Sequence, residues 1–198
     1  MGSGPSDSGR IALQNAYRQA LASGVLDSYR TRRWQRGPEF ASWLTQDQLA
    51  VLTEEQALAL YRASGGRRSR EFGSNPIEEI RDSVDFLLFD TIKLEGRFDE
   101  CASAGGGFKL EGAGKEFVSY ILCLKDPNLF ALWSPHADRT LRRMGIYPRD
   151  LGKGNLGMAY MDILEALQRV RQRMGLSDFR VVDEFAYAVT RPVKAPAG

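Results

Sequence analysis

The sequence predicts an all-α fold. Apolar residues recur at helical spacing along most of the 198 residues, capping residues and glycine stops bracket those stretches, and alternating strand patterns are rare. The first helix is expected over Ile11–Ala22, with Gly24 just past its end. Residues 1–10, MGSGPSDSGR, have no basic end followed by an apolar stretch, so they read as a disordered lead or tag remnant and not as a secretory signal. Between Val25 and Gly37 the arginine-rich YRTRRWQRG reads either as a short helix or as an extended basic connector.

Pro38 suits the first turn of a short helix through Leu44. Thr53 followed by Gln56 makes a capping box for a helix through Ala63, and GGRRSREFGSN is read as a loop. With Asn75 as cap and Pro76 at the first helical position, PIEEIRDSVDFLLFD places acids at the positive helix end and carries an apolar stripe. A helix over Leu94–Ala102 ends at the glycines of 105–107. Ser134-Pro135 begins a helix that Gly145 closes, Asn155–Met174 is a long helix stopped by Gly175, and Ser177 caps the last, DFRVVDEFAYAVT. With the helix after Gly114, about nine helices are expected. Residues 11–190 form one helical domain in this reading, and 191–198 a linker-like, proline- and alanine-rich tail.

Composition narrows the function. At 43% apolar and 26% charged residues, with no apolar run near the roughly 20 needed to span a bilayer, a cytoplasmic protein away from membranes is expected. Cys101, Cys123 and a lone His136 supply neither a closed zinc site nor an iron–sulfur cluster, so neither metal nor cofactor is expected. Residues 1–100 carry 13 Lys and Arg against 15 acids, and residues 101–198 carry 14 against 10. The positive field therefore lies in the C-terminal half, in the clusters Arg139/Arg142/Arg143, Arg149/Lys153 and Arg169/Arg171/Arg173. Such clusters attract phosphate backbones, or are solvated helix faces.

The stretch KLEGAGKEFVSYILCL, 109–124, has the small residues and lysine of a nucleotide-binding loop. A P-loop needs a glycine five residues before its Gly-Lys pair and a hydroxyl directly after it, because backbone amides wrap the phosphates and the hydroxyl binds magnesium. Here those positions are Lys109 and Glu116. Nucleotide binding is therefore rejected in favour of a tight hairpin between two helices at about 97–124. Its glycines let the chain turn closely, and the free amides opening the second helix suit a phosphate.

From Leu110 to Ile146, LEGAGKEFVSYILCLKDPNLFALWSPHADRTLRRMGI resembles the hairpin-to-active-site segment of the helix-hairpin-helix DNA glycosylase superfamily. Leu110-Glu111-Gly112-Ala113-Gly114 stands where that family has Leu-Pro-Gly-Val-Gly, and Trp133-Ser134-Pro135-His136-Ala137 where it has Val-Asp-Thr-His-Val. The resemblance implies a glycosylase-like bundle that binds DNA through the hairpin at Lys109, Gly112, Ala113, Gly114 and Lys115. It adds His136, Arg139, Arg142 and Arg143 from the following helix, and a monovalent cation on the hairpin carbonyls. Trp133, Ser134 and Tyr120 are the candidates to line a base pocket.

Two departures bear on chemistry. The family's essential carboxylate is matched by Ser134 and its lysine nucleophile by Glu116, so both catalytic groups are missing from their positions. Lys115, one residue earlier, is rotated by roughly 100° on a helix and suits phosphate. The expectation is a non-catalytic DNA-recognition module that grips duplex backbone and reads a flipped or modified base. The tail makes it similar to recognition domains attached to motor subunits of modification-dependent restriction systems, with a fused or associated motor as a further partner. One alternative is an active repair glycosylase or lyase with Asp138 as a displaced acid, its other role being an i,i+4 partner of Arg142. The second alternative is a helical protein–protein module.

Overall fold

In the computed structural model, which describes residues 7–151 and 154–191, twelve helical segments and no strand are found among the described residues. The all-α class holds. Three short segments, Asp27–Arg33, Gln46–Leu49 and Ser69–Phe72, lie outside the nine expected helices and raise the count to twelve. Helix α1 (Asp7–Ala22) starts inside the expected lead: Asp7 sits at the positive helix end, so residues 7–10 are helical. Residues 1–6 and 192–198, and with them most of the expected lead and tail, lie outside the described residues.

The arginine-rich stretch forms α2 (Asp27–Arg33), with Asp27 in the first turn and Arg30, Arg32 and Arg33 in the last, an arrangement that suits the helix dipole. Next come α3 (Gly37–Ser42) and α4 (Gln46–Leu49), the latter capped by Thr45. Helix α5 (Glu54–Ala63) carries the full Thr53/Gln56 capping box. In the expected 65–75 loop, burial of Phe72 draws out one helical turn, α6 (Ser69–Phe72). Pro76, and not Asn75, is the N-cap of α7 (Ile77–Phe89), because the Asn75 side chain is spent on the backbone of Phe72 and Glu111.

Helices α8 (Leu94–Ala102) and α9 (Lys115–Lys125) flank the hairpin, and Ser134 caps α10 (Pro135–Arg143) through the Ala137 amide. Asn155 caps α11 (Leu156–Met174), and Gly175 ends it in the left-handed conformation at φ +65°. The cap of α12 (Phe179–Thr190) is Asp178. Its carboxylate, directly before the helix, reaches the Val181 amide at 3.0 Å, while Ser177 lies one residue too early and gives its carbonyl to Arg171.

Helix α9 runs through the middle, with every residue from Phe117 to Leu124 buried. Trp133, Phe98 and Tyr160 pack together beside it, the last two stacked with ring centres 4.2 Å apart, and the Tyr160 hydroxyl donates to the Ala131 carbonyl. Both cysteines are buried and unpaired, and burial pushes the Cys101 thiol up to about 12. Helices α8 and α11 cross with almost no space between backbones. Asp99 Oδ1 accepts from the Leu156 amide at 2.8 Å, and a Cβ on Gly157 would lie 1.7 Å from the Glu95 carbonyl oxygen. Gly157→Ala must force the helices apart; an overpacking loss of about 3 kcal/mol is expected in urea denaturation, as a lower midpoint at unchanged slope.

Candidate functional site

The hairpin is held from outside by the α5–α7 region. The Tyr61 ring stacks on Phe72 at 4.2 Å and its hydroxyl donates to the Gly112 carbonyl at 2.8 Å. Asn75 pairs both ways with Glu111: its amide donates to the carbonyl (3.1 Å) and its oxygen accepts from the N–H (2.9 Å). Gly112 needs to be glycine twice over, since φ is +75° and a Cβ would lie 2.9 Å from the Phe72 nitrogen. Gly114 is the N-cap of α9 with extended backbone; no side chain caps that helix, and a Cβ on Gly114 would meet nothing within 4 Å. The first amides of α9 thus have no side-chain cap.

Lys109 has a different role from the one expected. Its ammonium folds under the turn and donates to the carbonyls of Leu110, at 2.8 Å, and Ala113. Desolvation holds its pKa below the usual lysine value. Those carbonyls are therefore satisfied by an internal cation, and the donor set does not fit an added monovalent ion.

Facing the hairpin is a cleft of about 850 Å³ lined by residues of α2, α5, the 64–68 turn, α9, α10 and α12. In its wall the buried Arg33 guanidinium holds two carboxylates. Arg33 Nη1 donates to the Ser64 carbonyl at 2.6 Å, Nη1 and Nη2 each lie 3.3 Å from Glu116 Oε1, and Nε lies 3.9 Å from Asp183 Oδ2. Asp183 Oδ2 also accepts from the Tyr29 hydroxyl (2.8 Å) and Trp34 Nε1 (2.9 Å), while its Oδ1 is buried without a partner among the described residues. Desolvation raises the pKa of both carboxyls, and Arg33 pulls each back. Desolvation also opposes the charge on Arg33, but Asp183, Tyr29 and Glu116 together hold its pKa above the usual value.

On the α10 side, Lys115 and Asp138 meet. Lys115 Nζ lies 3.6 Å from Asp138 Oδ2 and 3.9 Å above the Trp133 ring centre, and Trp133 Nε1 donates to Asp138 Oδ1 at 2.9 Å. Asp138 thus partners Lys115 and Trp133, with no ion pair to Arg142. Arg139 Nη2 donates to His136 Nδ1 at 2.9 Å, which places the ring proton on Nε2. Tyr29 and Tyr187, stacked at 4.0 Å, meet the His136 ring edge-on. Burial, then Arg139, then Arg33 lower the His136 pKa to about 4.

Of the expected site residues, the structure gathers Gly112, Gly114, Lys115, His136, Arg139 and Trp133 at the cleft. Ala113 is buried in the turn beside them. Others are drawn elsewhere. Arg142 stacks on Tyr147 at 3.8 Å and Arg143 donates to the Val189 carbonyl, so neither lines the cleft. Tyr120 and Ser134 are fully buried, one donating to the Arg33 carbonyl and the other capping α10, and they line no pocket. Glu116 is half-buried against Arg33.

The residues missed are Tyr29, Arg32, Arg33, Arg62, Arg67 and Arg68, together with Asp183 behind them. Their only signal was the pair of arginine runs, 30–36 and 67–70, the first read as a short helix or a connector and the second as a loop. Comparison of the chain with protein-family models, with curated proteins and with solved structures found no match.

Two outcomes follow. Arg33→Met leaves two desolvated carboxylates without their cation and should cost about 3–5 kcal/mol in urea denaturation at pH 7. The loss should shrink on acidification: Arg33 is what lowers both carboxyl pKa values against desolvation, so without it they rise further and the variant's native state takes up protons at higher pH than the parent's. His136 acts in the opposite sense. Its unfolded ring protonates near 6.5 and its folded ring only near 4, so the native chain should lose stability as pH falls through that window, and His136→Gln should remove that component of the pH profile.

Proposed function

We propose that this chain is a DNA-recognition module with a glycosylase-like helical bundle, which grips duplex backbone through its helix-hairpin-helix and admits an extruded base to the cleft. The observation that carries the reading is the convergence of the uncapped α9 N-terminus with the Arg-rich cleft wall. The amides after Gly114, the Lys115 ammonium and the exposed Arg139, Arg67 and Arg68 side chains surround one opening. Backbone amides at a helix start and mobile basic side chains are the groups that bind phosphate, and the aromatic surface behind them suits a base. A motor domain, fused or associated, is the partner proposed for such a module.

Glu116 and Ser134 stand at the positions of the family's catalytic lysine and carboxylate. Glu116 is engaged by Arg33, and Ser134 is buried as a helix cap without charge near neutral pH. The non-catalytic reading rests on these two contacts. The Lys115–Asp138 pair favours a second reading, an active glycosylase or lyase with both groups displaced, because the two meet at 3.6 Å inside the cleft.

Fluorescence-anisotropy titration of a labelled duplex at two salt concentrations tests the first reading. Binding should weaken steeply with salt, and Lys115→Glu should weaken it about equally for all sequences while lowering the salt slope by about 1. Salt-insensitive binding, or none, would sink it. Base release or strand cleavage on damaged duplexes that disappears in Asp138→Asn would establish the second reading instead.

A further inference from the structure

The cleft is not uniformly basic: it holds two acids, Asp138, whose oxygens are taken up by Lys115 and Trp133, and Glu116, which points to a ligand. Glu116 is a built feature: the Gly65 backbone, at φ +95°, closes over it so tightly that a Cβ there would lie 2.7 Å from Oε1. Both Arg33 hydrogen bonds go to Oε1, and no hydrogen bond to Oε2 is present among the described residues. The guanidinium is shared with Asp183, whose side chain is 1% exposed, so one cation faces two desolvated acids. Glu116 keeps unspent capacity to accept a hydrogen bond, consistent with a pKa that burial raises. An anion cannot use that capacity; an N–H donor can.

Three kinds of group line the same cleft: the exposed arginines with Lys115, the rings of Tyr187 and His136 packed on Tyr29, and Glu116 beside Arg33. Basic groups for a phosphate, rings for a base and a carboxylate with a free acceptor are together what a single nucleotide engages. Resting on the DNA-recognition reading above, we propose that the cleft selects an extruded base bearing an exocyclic amino group, with Glu116 Oε2 accepting from that group. Cytosine donates from N4 and adenine from N6, whereas uracil, thymine and hypoxanthine present a carbonyl oxygen there and would set it against the carboxylate. Selection therefore combines a hydrogen bond to the right base with acceptor–acceptor repulsion of the wrong one.

The test uses the unaltered protein and duplexes with one unpaired position opposite an abasic analogue, filled in turn by cytosine, uracil, adenine or hypoxanthine. Each pair differs at that position in amino group against carbonyl. Anisotropy titrations should give about tenfold tighter binding of cytosine over uracil and of adenine over hypoxanthine. Glu116→Gln, whose amide both donates and accepts, should bring each ratio near one, with its thermal melt checked against the parent chain. Equal affinities within both pairs, while fully paired duplex still binds with salt dependence, overturn this proposal and leave the recognition reading standing. Failure to bind any duplex overturns both. Displacement of the duplex by equimolar free deoxycytidine monophosphate would assign the cleft to a free nucleotide and overturn the proposal as well.

Discussion

One buried guanidinium, that of Arg33, organises the whole cleft. It leaves α2 near its C-terminus and reaches Ser64 after α5, Glu116 in the first turn of α9 and Asp183 in α12, so four segments far apart in sequence are referred to one charge. Its carbonyl accepts from Tyr120 in the centre of α9, which fixes the backbone as well as the side chain. A desolvated cation with these partners has few ways to rearrange, because any displacement leaves at least one buried acid unpaired. The cleft is therefore shaped before any ligand arrives.

This preorganisation separates two kinds of electrostatics within one opening. The arginines at the rim are exposed, their fields screened by salt, and they suit a mobile and repetitive target such as a backbone. Arg33 and Asp183 are buried and Glu116 is partly so, and charges fixed in number suit discrimination between neutral groups. Lys115 stands between the two regimes: it begins α9, covers Trp133 and neutralises Asp138. The ammonium of Lys109 performs a related service under the turn, joining two carbonyls that otherwise diverge in the hairpin.

Much of the helical layout was legible because it is written locally. The Thr53/Gln56 box, the Ser134 and Asn155 caps, the Leu94–Ala102 boundaries and the Gly175 stop all depend on residues a few positions apart. Asn75 was misjudged because its partner, Glu111, is a tertiary neighbour and not the next helix turn. The one-turn α6 was missed because only burial of Phe72 calls it into being. At the site, the hairpin glycines, Lys115 and Arg139 could be read from local spacing. Arg33 could not, since its meaning comes from Ser64, Glu116 and Asp183, which no sequence periodicity brings together. The same limit applied to Tyr120 and Arg143, whose hydrogen bonds to distant carbonyls commit them to the framework.

The proposed contact with nucleic acid is tested most directly by amide chemical-shift perturbation on titrating a short duplex into isotopically labelled protein. If the proposed reading holds, the largest shifts are expected at Gly114, Lys115 and Glu116, at residues 65–68 and in the first turn of α10, with the α8–α11 crossing unmoved. Perturbations centred on Arg149, Arg169 and Arg173 instead, with the hairpin amides silent, would contradict it.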